Sequence, residues 1–272
     1  MPVMKYLRAA QSRFPAIRPA KFAAYNWATR TLGWRIEPEF RLLARFAPLR
    51  TAVDVGGNWG QSVYALKKTA RPERIRTFEP NPVLSRRLQR AFADDAGVAV
   101  ESCALGETPG AFELFVPRYG RYVYDGLASL DEASARTWLN PQRFAGFRAD
   151  RLHVDRYRVE VRTLDSFDLS PDVVKIDVQG LELSVVRGGW NSFRRALPIT
   201  IVEAPDAELV ALLGEIGLRA YGYADGRLVP GDTGGTNTIF LHDDRLAPVR
   251  DLLGVERGAA DAGRSEPVAA PA

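Results

Sequence analysis

The sequence predicts an α/β protein with a mostly parallel, doubly wound sheet and a helical N-terminal cap. Three observations lead there. From residue 50 onward, short β-branched apolar runs alternate with segments of helical periodicity. The first run breaks into a glycine-rich turn at residues 56–60, and successive runs end in charged side chains: Asp54, Glu79, Asp177 and Glu203. Alternation of this length favours parallel strands joined by right-handed crossovers. A chain of 272 residues, 46% apolar and 26% charged, is long and apolar enough to bury a large core.

Residues 3–35 read as one or two helices broken by Pro15 and Pro19, with Phe14, Ile17, Phe22, Trp27 and Trp34 available for packing. A better helix follows from Glu37, with Pro38 near its start, Phe40, Leu43, Ala44 and Ala47 on one face, and Pro48 ending it. Residues 1–48 form the expected cap, and residues 49–246 the main domain. Strand one spans residues 51–55 and its helix residues 59–69. Strand two spans 74–78 and ends in Glu79-Pro-Asn-Pro. Helix two, residues 82–94, spaces Val83, Leu84, Leu88, Ala91 and Phe92 along one face. Strands at 98–102 and 111–116 follow.

Residues 117–156 interrupt the rhythm with an aromatic and basic stretch that includes Tyr119, Tyr122, Tyr124, Trp138 and Phe144. Two readings stand for it: a lid whose aromatic faces take a sugar ring or apolar substrate, or packing against the cap. Regular elements resume with strands at 158–164, 172–178, 198–202, 218–223 and 236–241. A helix runs from beyond Gln179 to the pair Gly188 and Gly189, and another covers 206–215. Residues 255–272, rich in Gly, Ala and Pro, cannot support a packed core and are expected to be disordered.

Charge is unevenly spread. Residues 1–50 hold ten Lys/Arg against Glu37 and Glu39, whereas the rest of the chain carries a small acidic excess. The basic arm is expected to be a solvated helical face, with contact to anionic lipid, as a weak membrane-surface contact, to nucleic acid or to an acidic partner as the alternatives. No apolar signal core or spanning segment is present, and Cys103 is the only cysteine, which fits a cytoplasmic protein without disulfides. With only His153 and His242, histidine-based chemistry is disfavoured, and no metal ligands are assigned.

In open α/β sheets the ligand sits beyond the carboxyl ends of the strands. The first turn reads Asp54-x-Gly56-x-Asn58-x-Gly60, without the third glycine of a dinucleotide fingerprint. A carboxylate before the turn repels a pyrophosphate but suits a cationic ligand, which favours S-adenosylmethionine (SAM) over NAD. Glu79 follows about 20 residues past the turn, the place of a ribose-binding acid. Asn81, Ser102 and Cys103 lie at neighbouring strand ends and complete the expected cofactor set. Lys175 and Asp177 lie in a buried run and share a face by period-two alternation. Two readings apply: a substrate-side base with its electrostatic partner, or a structural ion pair. Glu203 adds a second carboxylate at the same sheet edge.

Four blocks then resemble the FkbM family of SAM-dependent methyltransferases over roughly residues 50–242: VDVGGNWGQS at 53–62, FEPNP at 78–82, RTLDSF at 162–167 with VVKIDVQGLELSVVRGG at 173–189, and IVEA at 201–204 with NTIFL at 237–241. The third is similar to that family's K-I-D-x-E-G-x-E signature, with Gln179 standing where glutamate is usual. The resemblance implies a Rossmann-like class I methyltransferase fold with an antiparallel last strand, SAM as cofactor, and methyl transfer to oxygen, commonly on sugar or polyketide hydroxyls. Asp177 is the expected base, with Lys175 and Glu203 beside it, and Gln179, Glu182, Tyr122 and Tyr124 are expected on the substrate side. Competing readings are a nucleic-acid methyltransferase using the basic arm and a non-catalytic SAM-binding partner protein.

Overall fold

A computed structural model describes residues 2–14, 16–233 and 235–254. The tail expected at 255–272 lies outside the described residues. Among the described residues there are twelve strands: β1 Thr51–Val55, β2 Arg74–Phe78, β3 Val98–Glu101, β4 Ala104–Leu105, β5 Gly110–Tyr119, β6 Tyr122–Val123, β7 Leu152–Arg162, β8 Val173–Ile176, β9 Ile199–Glu203, β10 Arg219–Ala224, β11 Arg227–Pro230 and β12 Asn237–Leu241. The helices are α1 Pro2–Arg13, α2 Ile17–Leu32, α3 Pro38–Leu42, α4 Gln61–Thr69, α5 Pro82–Ala91, α6 Glu132–Thr137, α7 Glu182–Gly188, α8 Trp190–Ala196 and α9 Ala207–Gly214.

Eight strands form the main sheet in the order β11-β10-β12-β9-β8-β1-β2-β3. The five from β9 to β3 are mutually parallel, and β12 runs antiparallel to both β9 and β10. The chain moves outward from β1 through β2 to β3, then returns to lay β8 on the other side of β1. That reversal opens a crevice between the carboxyl ends of β1 and β8, the usual ligand position in such sheets. Register pairs Asp54 with Lys175 across the switch.

Both faces of the sheet are buried, which explains its continuous apolar strands. On one face Ala52, Ile75, Val173 and Ile201 pack with Phe40 of α3 and with Val63 and Leu66 of α4. On the other, Val53, Val55, Val174 and Ile176 pack with Val185 and Val186 of α7, Phe193 of α8 and Leu209 of α9. Truncating a fully buried leucine such as Leu66 is worth about 2–5 kcal/mol.

The insertion is more ordered than its sequence indicates. β5 extends to Tyr119 and pairs antiparallel with β7 from Gly110↔Val161 through Tyr119↔Leu152, in a separate four-stranded sheet ordered β4-β7-β5-β6. The strands expected at 111–116 and 158–164 therefore belong to this second sheet. Its charged residues hid the strand pattern: Arg118 bonds Asp155 (3.1 Å) and Arg156 faces Glu113 (3.4 Å) across the ladder.

Three further expectations are corrected. α2 runs through Pro19, which falls in its first turn where a missing amide costs nothing. Of the cap aromatics and aliphatics expected to pack, Phe14, Ile17, Trp27 and Trp34 are exposed, and only Phe22 stacks, on Trp59 (4.6 Å between centroids). α7 ends at Gly188 as expected, but a further helix that the sequence pattern does not predict, α8, directly follows the glycine pair. A Cβ at Gly188 would stand 1.9 Å from Gly106 O, so this glycine serves close packing.

Candidate active site

The turn after β1 is built by its glycines and held by β2. Gly56 has φ +91°, and a Cβ there would meet Asp177 O at 2.0 Å, so only glycine lets the β1 and β8 ends approach. The amides of Gly56 and Gly57 both donate to Phe78 O at 3.0 Å. Asn58 adopts φ +46°, which turns its N–H toward Glu79 Oε2 (2.7 Å). The other Glu79 oxygen accepts from Asn81 N–H at 2.8 Å. Burial pushes the Glu79 carboxyl up to about 7, against the pull of those two amides.

These residues line a cavity of about 540 Å³ beyond the strand ends. Its walls include Gly56, Asn58, Glu79, Asn81, Cys103 and Asp177, and residues 125–131 of the insertion roof it. Trp59 Nε1 donates to Asp125 Oδ2 (2.9 Å), and Arg18 pairs with the same carboxylate, so the cap, turn and roof are joined. Asn81 Oδ1 caps α5 by accepting from Val83 N–H (3.0 Å), leaving its buried Nδ2 without a hydrogen-bond partner in the protein. A buried donor left over in a cavity wall marks a place for a ligand acceptor.

A second, smaller cavity of about 160 Å³ lies across the turn and shares Gly56, Asn58 and Asp177 with the first. Tyr25, Arg35 and Glu37 of the cap line it, together with Lys175, Glu203 and Asn237. Lys175 is buried and its Nζ donates to Gly56 O at 3.1 Å, with Asp177 Oδ2 at 3.3 Å and Asp54 Oδ1 at 3.6 Å. Desolvation pulls its pKa down, but the two carboxylates outweigh it and the net shift is upward. Asp177 is likewise raised by desolvation, yet Lys175 and its hydrogen bonds bring it below the ordinary carboxylate value.

Gln179, at φ +58°, donates through Nε2 to Asp177 Oδ1 and to Glu203 Oε2, both at 3.0 Å. Its amide therefore bridges two carboxylates. The hydrogen bond with Asp177, then desolvation, push Glu203 up to about 8. The two carboxylates interact and titrate as a pair, with Asp177 drawn down and Glu203 pushed up.

The sequence profile described as the methyltransferase FkbM domain matches residues 54–223, more than half the chain. The chain belongs to the FkbM methyltransferase family. Among solved structures it is similar to methyltransferase FkbM from Methylobacillus flagellatus, with 18% identity and a TM-score of 0.45, covering 70% of this chain and 43% of that one. The chain thus spans less than half the length of that relative. It also resembles a TehB-like SAM-dependent methyltransferase from Corynebacterium glutamicum, with 15% identity and a TM-score of 0.40 over 85% of this chain and 96% of that one. A SAM-dependent O-methyltransferase from Thermotoga maritima aligns with 12% identity and a TM-score of 0.33, over 75% of this chain and 64% of that one. No curated protein sequence matches significantly.

Of the residues expected in this FkbM-family site, Gly56, Asn58, Glu79, Asn81, Cys103, Asp177 and Gln179 line the larger cavity, while Lys175 and Glu203 line the smaller. The others sit elsewhere. Asp54 is fully buried beneath the turn, accepting from Thr77 Oγ1 at 2.7 Å and facing Lys175 Nζ at 3.6 Å, and lines neither cavity. Gly60 starts α4 against Leu88, and Ser102 is exposed and bonded to Gln89. Glu182 accepts from the amides of Val178 and Gly180 (both 3.1 Å), shaping the loop that carries Gln179. Tyr122 and Tyr124 pack on each other, 4.6 Å apart, in the insertion's own core with Tyr119, Leu139 and Phe144.

Two contributors were missed. Gly57 leaves no room for a side chain, since a Cβ would meet Thr77 Oγ1 at 2.4 Å, and the Gly-Gly pair was the available signal. Asp125 of the roof had none, because its role depends on a contact 66 residues away in sequence, with Trp59.

Proposed function

We propose that this chain transfers the methyl group of SAM to a hydroxyl of a sugar, glycan or other small-molecule acceptor. The observation that carries the reading is the Asp177–Gln179–Glu203 bridge, placed where the two cavities meet. The larger cavity suits the adenosine half of SAM: Glu79 offers a carboxylate to the ribose hydroxyls, and Asn81 Nδ2 an unused donor. SAM would supply an activated methyl group, whose carbon–sulfur bond breaks as the acceptor oxygen bonds to carbon. What the protein must add is position and a proton acceptor.

Asp177 and Glu203 divide that work. Asp177, kept ionised by Lys175, orients the acceptor by taking its hydroxyl hydrogen bond. Glu203, held by the Gln179 amide at 3.0 Å, takes the acceptor's proton in the fraction of molecules where its own proton has passed to solvent. Gln179 fixes both without adding charge. The polar lining of the smaller cavity, with Tyr25, Arg35 and Asn237, favours a hydroxylated acceptor over an apolar one.

The test is labelled-methyl transfer from SAM into a panel of monosaccharides, oligosaccharides, phenols and RNA, with S-adenosylhomocysteine binding measured by calorimetry. Hydroxyl methylation of a glycan or small molecule supports the proposal. Methylation confined to RNA, or binding without any turnover, overturns it.

A further inference from the structure

We infer that the N-terminal arm docks on an anionic lipid surface. Among the described residues nine large apolar side chains are exposed, and seven of them lie between residues 6 and 34; of the other two, Leu130 and Leu181 line the cofactor cavity. The seven are not scattered. Tyr6 and Ala10 of α1 and Phe14, the residue after its end, recur every fourth position with Leu7 beside them, all exposed. In α2, Ile17, Ala20, Ala24 and Trp27 continue an exposed stripe, and Leu32 and Trp34 extend it past the helix end. The exposures are large: Tyr6 62%, Phe14 61%, Trp27 55% and Leu32 67%.

The opposite faces are fastened to the body. Arg8 donates to Arg143 O (3.1 Å), the amide of Ala145 donates to Lys5 O (3.1 Å), and Asn26 Nδ2 donates to Trp59 O (2.8 Å). The arm therefore presents its apolar ridge outward as part of a fixed surface. Residues 1–36 contain seven Lys/Arg and no Asp or Glu. Arg18 is consumed by Asp125, but Arg13, Lys21 and Arg30 stay exposed along the ridge.

That combination selects the occupant. Aliphatic side chains such as Leu7, Ile17 and Leu32 have nothing to offer a phosphate backbone, which disfavours nucleic acid. A second copy of the same face would bring like charges together. A bilayer interface with anionic headgroups satisfies both features: the apolar side chains enter the headgroup–acyl boundary, and the cations stay at the phosphates. None of the described helices is long and apolar enough to cross a membrane, so contact is along the surface.

The test is sedimentation of the full chain with vesicles of phosphatidylcholine alone or mixed with phosphatidylglycerol. We expect pelleting with the mixed vesicles and release as salt rises. Arg13→Glu with Lys21→Glu should weaken partitioning by about tenfold or more, and Phe14→Ser with Trp27→Ser by a similar factor. S-adenosylhomocysteine binding by each variant verifies that it folds. Equal partitioning onto neutral vesicles, no pelleting, unaffected variants, or a concentration-dependent dimer abolished by Phe14→Ser with Trp27→Ser would overturn the inference. None of these outcomes bears on the methyl-transfer proposal.

Discussion

The two walls of the site hold their carboxylates in different ways. On the cofactor wall, Glu79 is fixed by backbone amides of Asn58 and Asn81, one per oxygen. On the opposite wall, Asp177 and Glu203 are fixed by side chains, the Gln179 amide and the Lys175 ammonium. Backbone donors cannot move or titrate, so the first wall is a binding surface of constant shape. Side-chain partners exchange protons and rotate, so the second can take part in a reaction. The glycines of the turn are what let the two walls meet.

The largest effect should come from that junction. Gly56→Ala forces a Cβ within 2.0 Å of Asp177 O at a φ of +91°, and the β1 and β8 ends must separate. We expect a loss on the order of 3 kcal/mol in urea unfolding together with loss of S-adenosylhomocysteine binding. Unchanged stability would mean that the two walls are not in contact as described. Next is Asp177→Asn, which keeps the shape but removes the charge facing Lys175. Turnover should fall by about 10²–10⁴ while S-adenosylhomocysteine affinity stays within a few-fold. A parallel loss of binding and turnover would assign Asp177 to the cofactor wall instead.

The sequence made the first wall more legible than the second. Strand, turn and helix lengths near residues 51–78 follow from local periodicity, and the Glu79 position from its distance past the turn. Asp54 read as a wall residue, whereas its place beneath the turn, beside Thr77 and Lys175, depends on the neighbouring strands β2 and β8. Tyr122 and Tyr124 misled because aromatic-rich sequence looks alike in a substrate platform and in a small satellite core. β5 and β7 were cut short because their cross-strand partners are charged and about 40 residues apart, beyond any local pattern. Gln179 read as a defect in a motif. Its value as a bridge depends on Glu203, which only the tertiary structure brings beside it.

Protonation offers a finer comparison. The buried Glu79 carboxyl is raised to about 7, and in the proposed function it is the anion that accepts from the ribose hydroxyls. Affinity for S-adenosylhomocysteine should therefore rise with pH through about 7, and Glu79→Gln should remove that dependence while weakening binding by about 1.5–3 kcal/mol. For the protein without ligand the sign is opposite. A carboxyl raised on folding stabilises most below its unfolded pKa, so this contribution is lost as pH climbs from about 4.5 to about 7. Calorimetry across that range reads the first effect and thermal unfolding the second. A pH-independent affinity would remove Glu79 from the cofactor contact.

The smallest change acts on the second wall alone. Gln179→Glu restores the residue that the K-I-D-x-E-G-x-E signature leads one to expect and turns a two-carboxylate bridge into a cluster of three. The amide now donates to both Asp177 and Glu203 at 3.0 Å, whereas a protonated glutamate at the same place has one O–H and can donate to only one of them. If it ionises, like-charge repulsion raises the carboxyl pKa of its neighbours further. In the proposed mechanism the rate of the natural chain rises through the Glu203 value of about 8, so the variant's rising limb should move upward by on the order of one unit, with kcat at high pH nearly unchanged. Glu203→Gln should abolish that limb altogether. A limb that stays in place in both variants would show that the titrating base lies outside the bridge, and the division of labour between Asp177 and Glu203 would fall with it.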